Sequence, residues 1–332
     1  MRKVVAFNNL AKKLSEAALW MRNVRSYDHR NRRTRLRGPT SVHIQTIDRC
    51  NAACIMCPYS SLSNGASGRV IDDDLYVRII EEVREAGTTK TLCLMLQNEP
   101  LLDRRLPDRV QIARRILGPD IRIMIVTNAE PLTASMTDNL LASGIDHVSV
   151  SIDAASEETF GKIRQGLRFQ RVVNNTLALV SRLGPHRVSV KFLRQRENEG
   201  EEVAFASFWR QVGVRVTFCE LTNRAGTLEN YERIKKRHPD LWKKLIHPAL
   251  NRLIPACPLA FTSLNILSDG RVITCSEDWG PRDIVGDISK QSMKEVWNGE
   301  KINHYRHLLW THRAAESRVC AGCRLSEHYW KI

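Results

Sequence analysis

Asp48-Arg49-Cys50-Asn51-Ala52-Ala53-Cys54-Ile55-Met56-Cys57-Pro58 is the stretch on which the reading of this chain turns. Its cysteines are spaced C-x3-C-x2-C. Three thiolates suit a [4Fe–4S] cluster and leave one of its irons without a protein ligand, open to a substrate or cofactor. A closed zinc site takes four ligands, commonly in C-x2–4-C pairs. Here the local set stops at three, with no histidine close by in sequence.

The triad follows an expected strand, Ser41–Thr46, and so lies in a loop at that strand's carboxyl end. Beyond it, strand and helix alternate. Strands are expected at Thr91–Leu96, Arg122–Thr127, His147–Ile152, Arg187–Leu193 and Arg215–Glu220. Helices are expected at Leu75–Ala86, Arg109–Leu117, Thr133–Ser143, Ser156–Ile163, Val172–Leu183 and Glu202–Val212. Asp72–Asp74 give the first helix an acidic, capping-type start. Gly144, Gly184 and Gly213 supply helix stops. The alternation implies an α/β fold with a parallel sheet, because parallel strands need crossover helices. In such sheets ligands sit at the carboxyl ends of the strands.

Composition narrows the class. The chain has 332 residues, 42% apolar and 26% charged, as expected of a folded chain with a substantial core. No apolar run approaches the ~20 residues that span a bilayer, and the charged N-terminal stretch does not read as a secretory signal. Nine cysteines and no export signal point to a reducing, cytoplasmic setting in which clustered thiols bind metals. The net charge is +15, and seven arginines fall between Arg22 and Arg37. That stretch suits nucleic acid or an anionic membrane. Without interleaved aromatics it reads as a solvated arm. Val4, Phe7, Leu10, Leu14, Ala17 and Met21 recur at helical spacing ahead of it.

After Glu229 the rhythm breaks. Tyr231–Leu250 reads as a charged helical connector, and a second cysteine group follows: Cys257, Cys275, Cys320 and Cys323. Four cysteines in two separated groups make a closed metal site that by spacing alone suits zinc or [4Fe–4S]. The expected division is 1–40 basic helical extension, 41–235 α/β unit, 236–256 helical connector and 257–332 second cysteine-bearing domain.

With its triad after the first strand of a βα alternation, the sequence resembles the radical S-adenosylmethionine (radical SAM) family. The resemblance implies a partial (β/α)6 TIM-like barrel with a small C-terminal iron–sulfur domain. It implies that the open iron of the cluster held by Cys50, Cys54 and Cys57 chelates the amino and carboxylate groups of S-adenosylmethionine. One electron then cleaves the C–S bond, and the 5′-deoxyadenosyl radical takes hydrogen from a substrate. Glu99 and Pro100 match the family's Gly-Glu-Pro motif, which meets the methionyl ammonium, with Asn98 in place of the glycine. Thr127-Asn128-Ala129 stands where relatives have Thr-Asn-Gly. Ser151 or Asp153 is expected at the ribose hydroxyls, Met56 on adenine, and Lys191 and Arg194 at the cofactor's carboxylate. The C-terminal region resembles SPASM and twitch extensions, including Gly286-Asp287-Ile288 and the segment around Met293-Lys294-Glu295-Val296-Trp297-Asn298. The complete two-cluster version has about three more cysteines, so one auxiliary [4Fe–4S] cluster is expected, fully ligated by Cys257, Cys275, Cys320 and Cys323.

The expected function is that of an oxidoreductase or epimerase acting on a sugar, aminocyclitol or similar alcohol, with a flavodoxin- or ferredoxin-type electron donor. Dehydrogenation needs a base, for which Glu220 and Glu197 are candidates. Epimerisation needs a hydrogen donor, for which Cys219 at the end of the sixth strand is preferred over Cys93. Buried free cysteine is otherwise a small hydrophobe. Modification of a ribosomally made peptide is the alternative, although a strand-rich recognition domain before the barrel is not in evidence. A metal-stapled, basic nucleic-acid-binding protein is the alternative of another class. The barrel alternation speaks against nucleic acid as the partner.

Overall fold

The computed structural model describes residues 27–28, 33–34, 38–62, 67–236 and 257–324. The helix expected at Val4–Met21, most of the arginine-rich arm and most of the Tyr231–Leu250 connector lie outside these residues.

Tyr27–Asp28 (β1) and Arg33–Thr34 (β2) form a short antiparallel pair. The main sheet is built from β3 (Ser41–Ile44), β4 (Thr91–Cys93), β5 (Arg122–Thr127), β6 (His147–Ser151), β7 (Val188–Arg194), β8 (Arg215–Glu220), β9 (Ser263–Ile266), β10 (Arg271–Ile273) and β11 (Ile284–Asp287). Their spatial order is β11-β10-β9-β3-β4-β5-β6-β7-β8. Pairing is parallel from β9 through β8 and antiparallel along β9-β10-β11. The helices are α1 (Tyr59–Leu62), α2 (Asp73–Ala86), α3 (Leu106–Leu117), α4 (Ala134–Ala142), α5 (Glu157–Ile163), α6 (Phe169–Leu183), α7 (Glu202–Gln211), α8 (Tyr231–Ile234), α9 (Leu259–Thr262), α10 (Met293–Asn298) and α11 (Glu300–Trp310).

Local chemistry accounts for the crossover helices. Asp72 caps α2 by accepting from the Leu75 N–H at 3.0 Å, and Gly87 closes it with a φ of 63°. The helix buries Tyr76, Ile79, Ile80 and Val83, one stripe at i, i+3, i+4 and i+7. Those residues pack on Val42 and Ile44 of β3, within one core that also takes in Leu92 of β4, Ile123 and Ile125 of β5, Val148 and Val150 of β6, and Val190 and Phe192 of β7. Each such side chain contributes about 1.5–3 kcal/mol by leaving water.

Side chains alternate across a strand. The intervening residues therefore face the other way, into the barrel, and they are mostly polar: Ser41, His43, His147, Ser149, Ser189 and Lys191. Some already pair with one another. The His147 ring nitrogen Nε2 lies 2.8 Å from Ser189 Oγ, and Ser189 Oγ donates to Ser149 Oγ at 3.1 Å.

The C-terminal region is stitched to the barrel. Thr40 N–H donates to the Thr262 carbonyl at 3.0 Å, and β9 pairs with β3 residue for residue from Ser41↔Ser263 to Ile44↔Ile266. Asn223 Nδ2 donates to the Gly322 carbonyl at 2.5 Å and its Oδ1 accepts from the Arg324 N–H at 3.0 Å. Gly226, at a φ of 90°, lies against the Gly322 backbone, so a side chain there meets both strain and chain.

Candidate active site

The Cys50–Cys57 loop is held from several sides. The Cys50 N–H donates to Tyr59 Oη at 2.9 Å, Ala53 N–H to the Gln165 carbonyl at 2.9 Å, and Ile55 N–H to the Ile163 carbonyl at 3.1 Å. Asn230 Nδ2 donates to the Ile55 carbonyl at 2.9 Å. These bonds fix the backbone that carries the three thiols. Cys54 is buried, and Cys50 and Cys57 are half-buried. Burial pushes the Cys50 thiol up to about 12 and the Cys57 thiol up to about 11. Cys50 and Cys57 therefore stay protonated near neutrality when free, so loading a cluster releases protons.

Two half-buried arginines stand beside the thiols. Arg164 Nη1 lies 3.6 Å from Cys54 Sγ, and its Nη2 pairs with Asp153. Arg224 Nη1 pairs with Glu277 Oε1 at 3.0 Å, and its charge lowers the Cys57 thiol. Glu277 is held in turn by Thr222 Oγ1 at 2.6 Å. The sequence reading missed both arginines. The only local signal was each residue's place just past a strand or helix end.

Glu99, 2% exposed, sits at the carboxyl end of β4. Its Oε1 accepts from Thr127 Oγ1 at 2.6 Å and from the Leu101 N–H at 3.1 Å, and its Oε2 accepts from the Asn128 N–H at 2.7 Å. Burial nonetheless raises its carboxyl to about 7. Oε2 keeps room for one further donor. Pro100 opens the following 3-10 turn. The left-handed residue of this motif is Gln97, with a φ of 57°, and not Asn98. Asn98 instead accepts from the Leu96 N–H at 2.9 Å. Gln97 Nε2 reaches the carbonyls of Ser276 and Asp278 at 3.1 and 3.0 Å, beside Cys275.

The other expected cofactor residues divide. Asn128 Nδ2 donates to Asn51 Oδ1 in the cysteine loop at 2.9 Å. Asp153 is fully buried at a φ of 66°, and its carboxylate is taken by Arg164 and by the Leu193 N–H at 2.6 Å. Ser151, half-buried beside it, ends β6. Arg194 forks between Glu202 at 2.9 Å and Glu220 at 3.0 Å, so that base candidate is already paired. Glu197 keeps a buried Oε2 with no hydrogen-bond partner among the described residues. Lys191 makes no ion pair among them. Cys219 is half-buried at the end of β8 and Cys93 is buried at the end of β4, and burial raises both thiols.

Cys257, Cys275, Cys320 and Cys323 line one cavity, together with apolar neighbours such as Leu259, Leu309 and Val319. Burial raises the Cys257, Cys275 and Cys320 thiols. Among the described residues no three His, Cys, Asp or Glu side chains converge at single-ion spacing. A four-iron cube holds its thiolates wider apart than one zinc ion does. The donor set at both sites fits [4Fe–4S] clusters.

The comparisons with known proteins agree with this geometry. A family model described as the radical SAM superfamily matches residues 44–205, and one described as an iron–sulfur cluster-binding domain, SPASM, matches residues 257–324. An AdoMet-dependent heme synthase of Methanosarcina barkeri is 33% identical over 321 residues, covering 83% of this chain and 88% of that one. A GTP 3′,8-cyclase of Lactiplantibacillus plantarum is 24% identical over 79% of this chain and 88% of its own length. A SAM-dependent 2-deoxy-scyllo-inosamine dehydrogenase of Niallia circulans is 22% identical over 85% and 91%. The crystal structure of BtrN with AdoMet and 2-DOIA superposes with a TM-score of 0.56 at 19% identity, over 86% of this chain and 92% of that one. Streptococcus suis SuiB bound to its precursor peptide SuiA gives 0.65 at 13% identity, over 96% and 74%. The chain belongs to the radical SAM superfamily and carries a C-terminal SPASM domain. It is an enzyme whose cofactors are [4Fe–4S] clusters and S-adenosylmethionine. No helix among the described residues is long and apolar enough to cross a membrane.

Proposed function

We propose that this enzyme removes hydrogen from a small polar alcohol, a sugar or cyclitol-like molecule, and leaves it dehydrogenated or epimerised. The observation that carries the reading is the barrel interior. Its inward side chains are mostly polar, and the auxiliary site offers a complete set of four cysteines, which would leave no iron open to substrate. The dehydrogenase among the relatives lends support, but the cyclase and heme synthase at similar likeness carry other chemistries, so the relatives alone do not choose.

When bound, the clusters and S-adenosylmethionine would supply one-electron transfer and the radical that abstracts hydrogen. Cys50, Cys54 and Cys57 would hold the first cluster, and Cys257, Cys275, Cys320 and Cys323 the second. The chain's own part is placement. Glu99 Oε2 would accept from the methionyl ammonium, Ser151 would hold a ribose hydroxyl, and Asn128 would keep the cysteine loop in register through Asn51. Glu197 would be the base for dehydrogenation, since its Oε2 has no hydrogen-bond partner among the described residues whereas Glu220 is paired. Cys219 is the hydrogen donor for epimerisation. A flavodoxin- or ferredoxin-type donor in the cytoplasm completes the reading.

The test is an anaerobic iron and sulfide count for the wild type and for a Cys50/Cys54/Cys57→Ala triple variant. About eight irons falling to about four is the expected result. Dithionite and S-adenosylmethionine should then release 5′-deoxyadenosine from the wild type alone. A peptide-dependent release, with no response to sugars or cyclitols, would replace this reading by peptide modification.

A further inference from the structure

We infer that the barrel interior contains an anion site, built on Lys191, that receives a carboxylate or phosphate group of the substrate. The inference rests on the small-molecule reading above and narrows it to acidic substrates, which sets aside aminocyclitols.

The placement follows from the strands. Lys191 lies in β7 between Val190 and Phe192, both of which point out into the helix-facing core. Lys191 therefore points into the barrel. It is in register with Ser151 of β6 and Thr217 of β8. Across the barrel, His43, Cys93 and Asn265 sit at one register level on β3, β4 and β9. The charge of Lys191 reaches His43, Cys93 and Cys219, which stand on three different strands. Only an ammonium group in the interior faces all three.

Among the described residues this cation has no counter-ion: Asp153 is committed to Arg164, Glu220 to Arg194 and Glu99 to its three donors, and Glu197, whose Oε2 lacks a hydrogen-bond partner, makes no ion pair with Lys191. Lys191 is half-buried, so an anion entering the barrel can pair with it without first displacing a protein carboxylate. A second side chain also waits for a partner. Asn265 is 1% exposed, yet neither its Oδ1 nor its Nδ2 has a hydrogen-bond partner among the described residues. His43, held neutral down to about pH 4 by burial, adds a hydrogen-bonding ring without a second positive charge.

The rival occupant is the carboxylate of S-adenosylmethionine. That group belongs at the cluster, where the cation at hand is Arg164, 3.6 Å from Cys54 Sγ. The charges acting on the Cys57 thiol are those of Arg224 and Arg164, and Lys191 is not among them. Lys191 lies deeper.

The experiment uses charged and neutral thiol reagents of the same size. Cluster-loaded enzyme is exposed anaerobically to limiting iodoacetate or iodoacetamide, and alkylation of Cys219 and Cys93 is read by peptide mass spectrometry. The iodoacetate-to-iodoacetamide ratio is divided by that of glutathione, which cancels intrinsic thiol reactivity. In the wild type the normalised ratio should exceed one by roughly three- to tenfold. It should fall to about one in Lys191→Met, stay high in Lys191→Arg, and persist with saturating S-adenosylmethionine. Millimolar inorganic phosphate should slow iodoacetate more than iodoacetamide in the wild type, a readout that stands even if the methionine variant fails to fold. Equal ratios in wild type and Lys191→Met overturn the site. Loss of the preference on adding S-adenosylmethionine hands Lys191 to the cofactor and overturns it too. So does a chamber closed to both reagents, since substrate could not enter. None of these readouts needs turnover, so a failed anion site is distinguishable from a failed radical SAM oxidoreductase, which the deoxyadenosine assay reports.

Discussion

Replacing Asp153 by asparagine separates a structural role from a cofactor-binding one. The carboxylate is 0% exposed and its partner Arg164 is 13% exposed. Removing one member of a buried ion pair typically costs about 3–5 kcal/mol, because the other charge is left uncompensated. Two features place this case at the lower end. The amide oxygen can still accept from the Leu193 N–H, now at 2.6 Å, and the Cys54 sulfur offers Arg164 a second, weaker partner at 3.6 Å. The expected loss is therefore about 3 kcal/mol. At about 2 °C per kcal/mol for a chain of this size, that lowers the melting temperature by about 6 °C. Ser151→Ala is the companion variant. It removes one half-buried hydroxyl and should leave the melting temperature within about 1 °C, since such changes usually stay within ±0.5 kcal/mol, while weakening S-adenosylmethionine binding. Anaerobic thermal melts and equilibrium binding of S-adenosylmethionine check both. If Asp153→Asn melts like wild type and loses cofactor affinity more than tenfold, Asp153 is a ribose ligand and the reasoning is wrong.

Glu99 gives a pH dependence. Its folded value of about 7 lies above the ordinary 4.5, so the fold favours the protonated form. The stability it contributes is fully present below about pH 4.5 and declines as pH rises to about 7, by about 3 kcal/mol in all; urea titrations from pH 5 to 8 should show a slope that Glu99→Gln flattens. Arg164→Met removes the charged donor beside Cys54 and should lower the midpoint potential of the first cluster, since hydrogen bonds to cluster sulfur tune it. A shift near 59 mV would mark a tenfold change, and a redox titration followed by electron paramagnetic resonance with no shift would disprove the role. Gly286→Ala places a Cβ 2.5 Å from Val296 Cγ1. A cost of about 1–3 kcal/mol is expected from such overpacking, visible as a lower melting temperature and reduced iron content.

Much of the barrel was legible because the signals are local. Arg122–Thr127 and Arg215–Glu220 are strands over the residues expected, and Asp72 caps its helix as its position suggested. The cysteine loop was legible for the same reason, since its ligands lie within eight positions of one another. What escaped depends on contacts between distant segments. Nothing in the pattern of Ser263–Ile266 says that it adds to the sheet beside β3. Arg164 and Arg224 look like any other arginines until the fold sets them against the thiols. Asp153 is expected at the ribose hydroxyls and Arg194 at the cofactor's carboxylate, and the structure gives each an ionic partner that sequence spacing does not reveal. Gln97, rather than Asn98, carries the positive φ, and a side chain of either kind conceals that choice.

The pairing of β9 with β3 has a consequence for how the chain is made. Thr40 and Thr262 meet across 222 residues. At roughly 5–20 residues per second, a ribosome needs on the order of 10–45 s to deliver the second after the first. Throughout that interval the nascent chain presents the free side of its first barrel strand, an unpaired edge of the kind that recruits other chains. The cysteine loop beside that edge gains the contacts of Ile163, Gln165 and Asn230 earlier, while Gln97 and Arg224 wait for Ser276, Glu277 and Asp278. Truncation before Ser263 would make the delay permanent. Cluster delivery in the cell therefore has to be matched to the last quarter of synthesis, and an isolated N-terminal fragment is a poor vehicle for studying the first cluster.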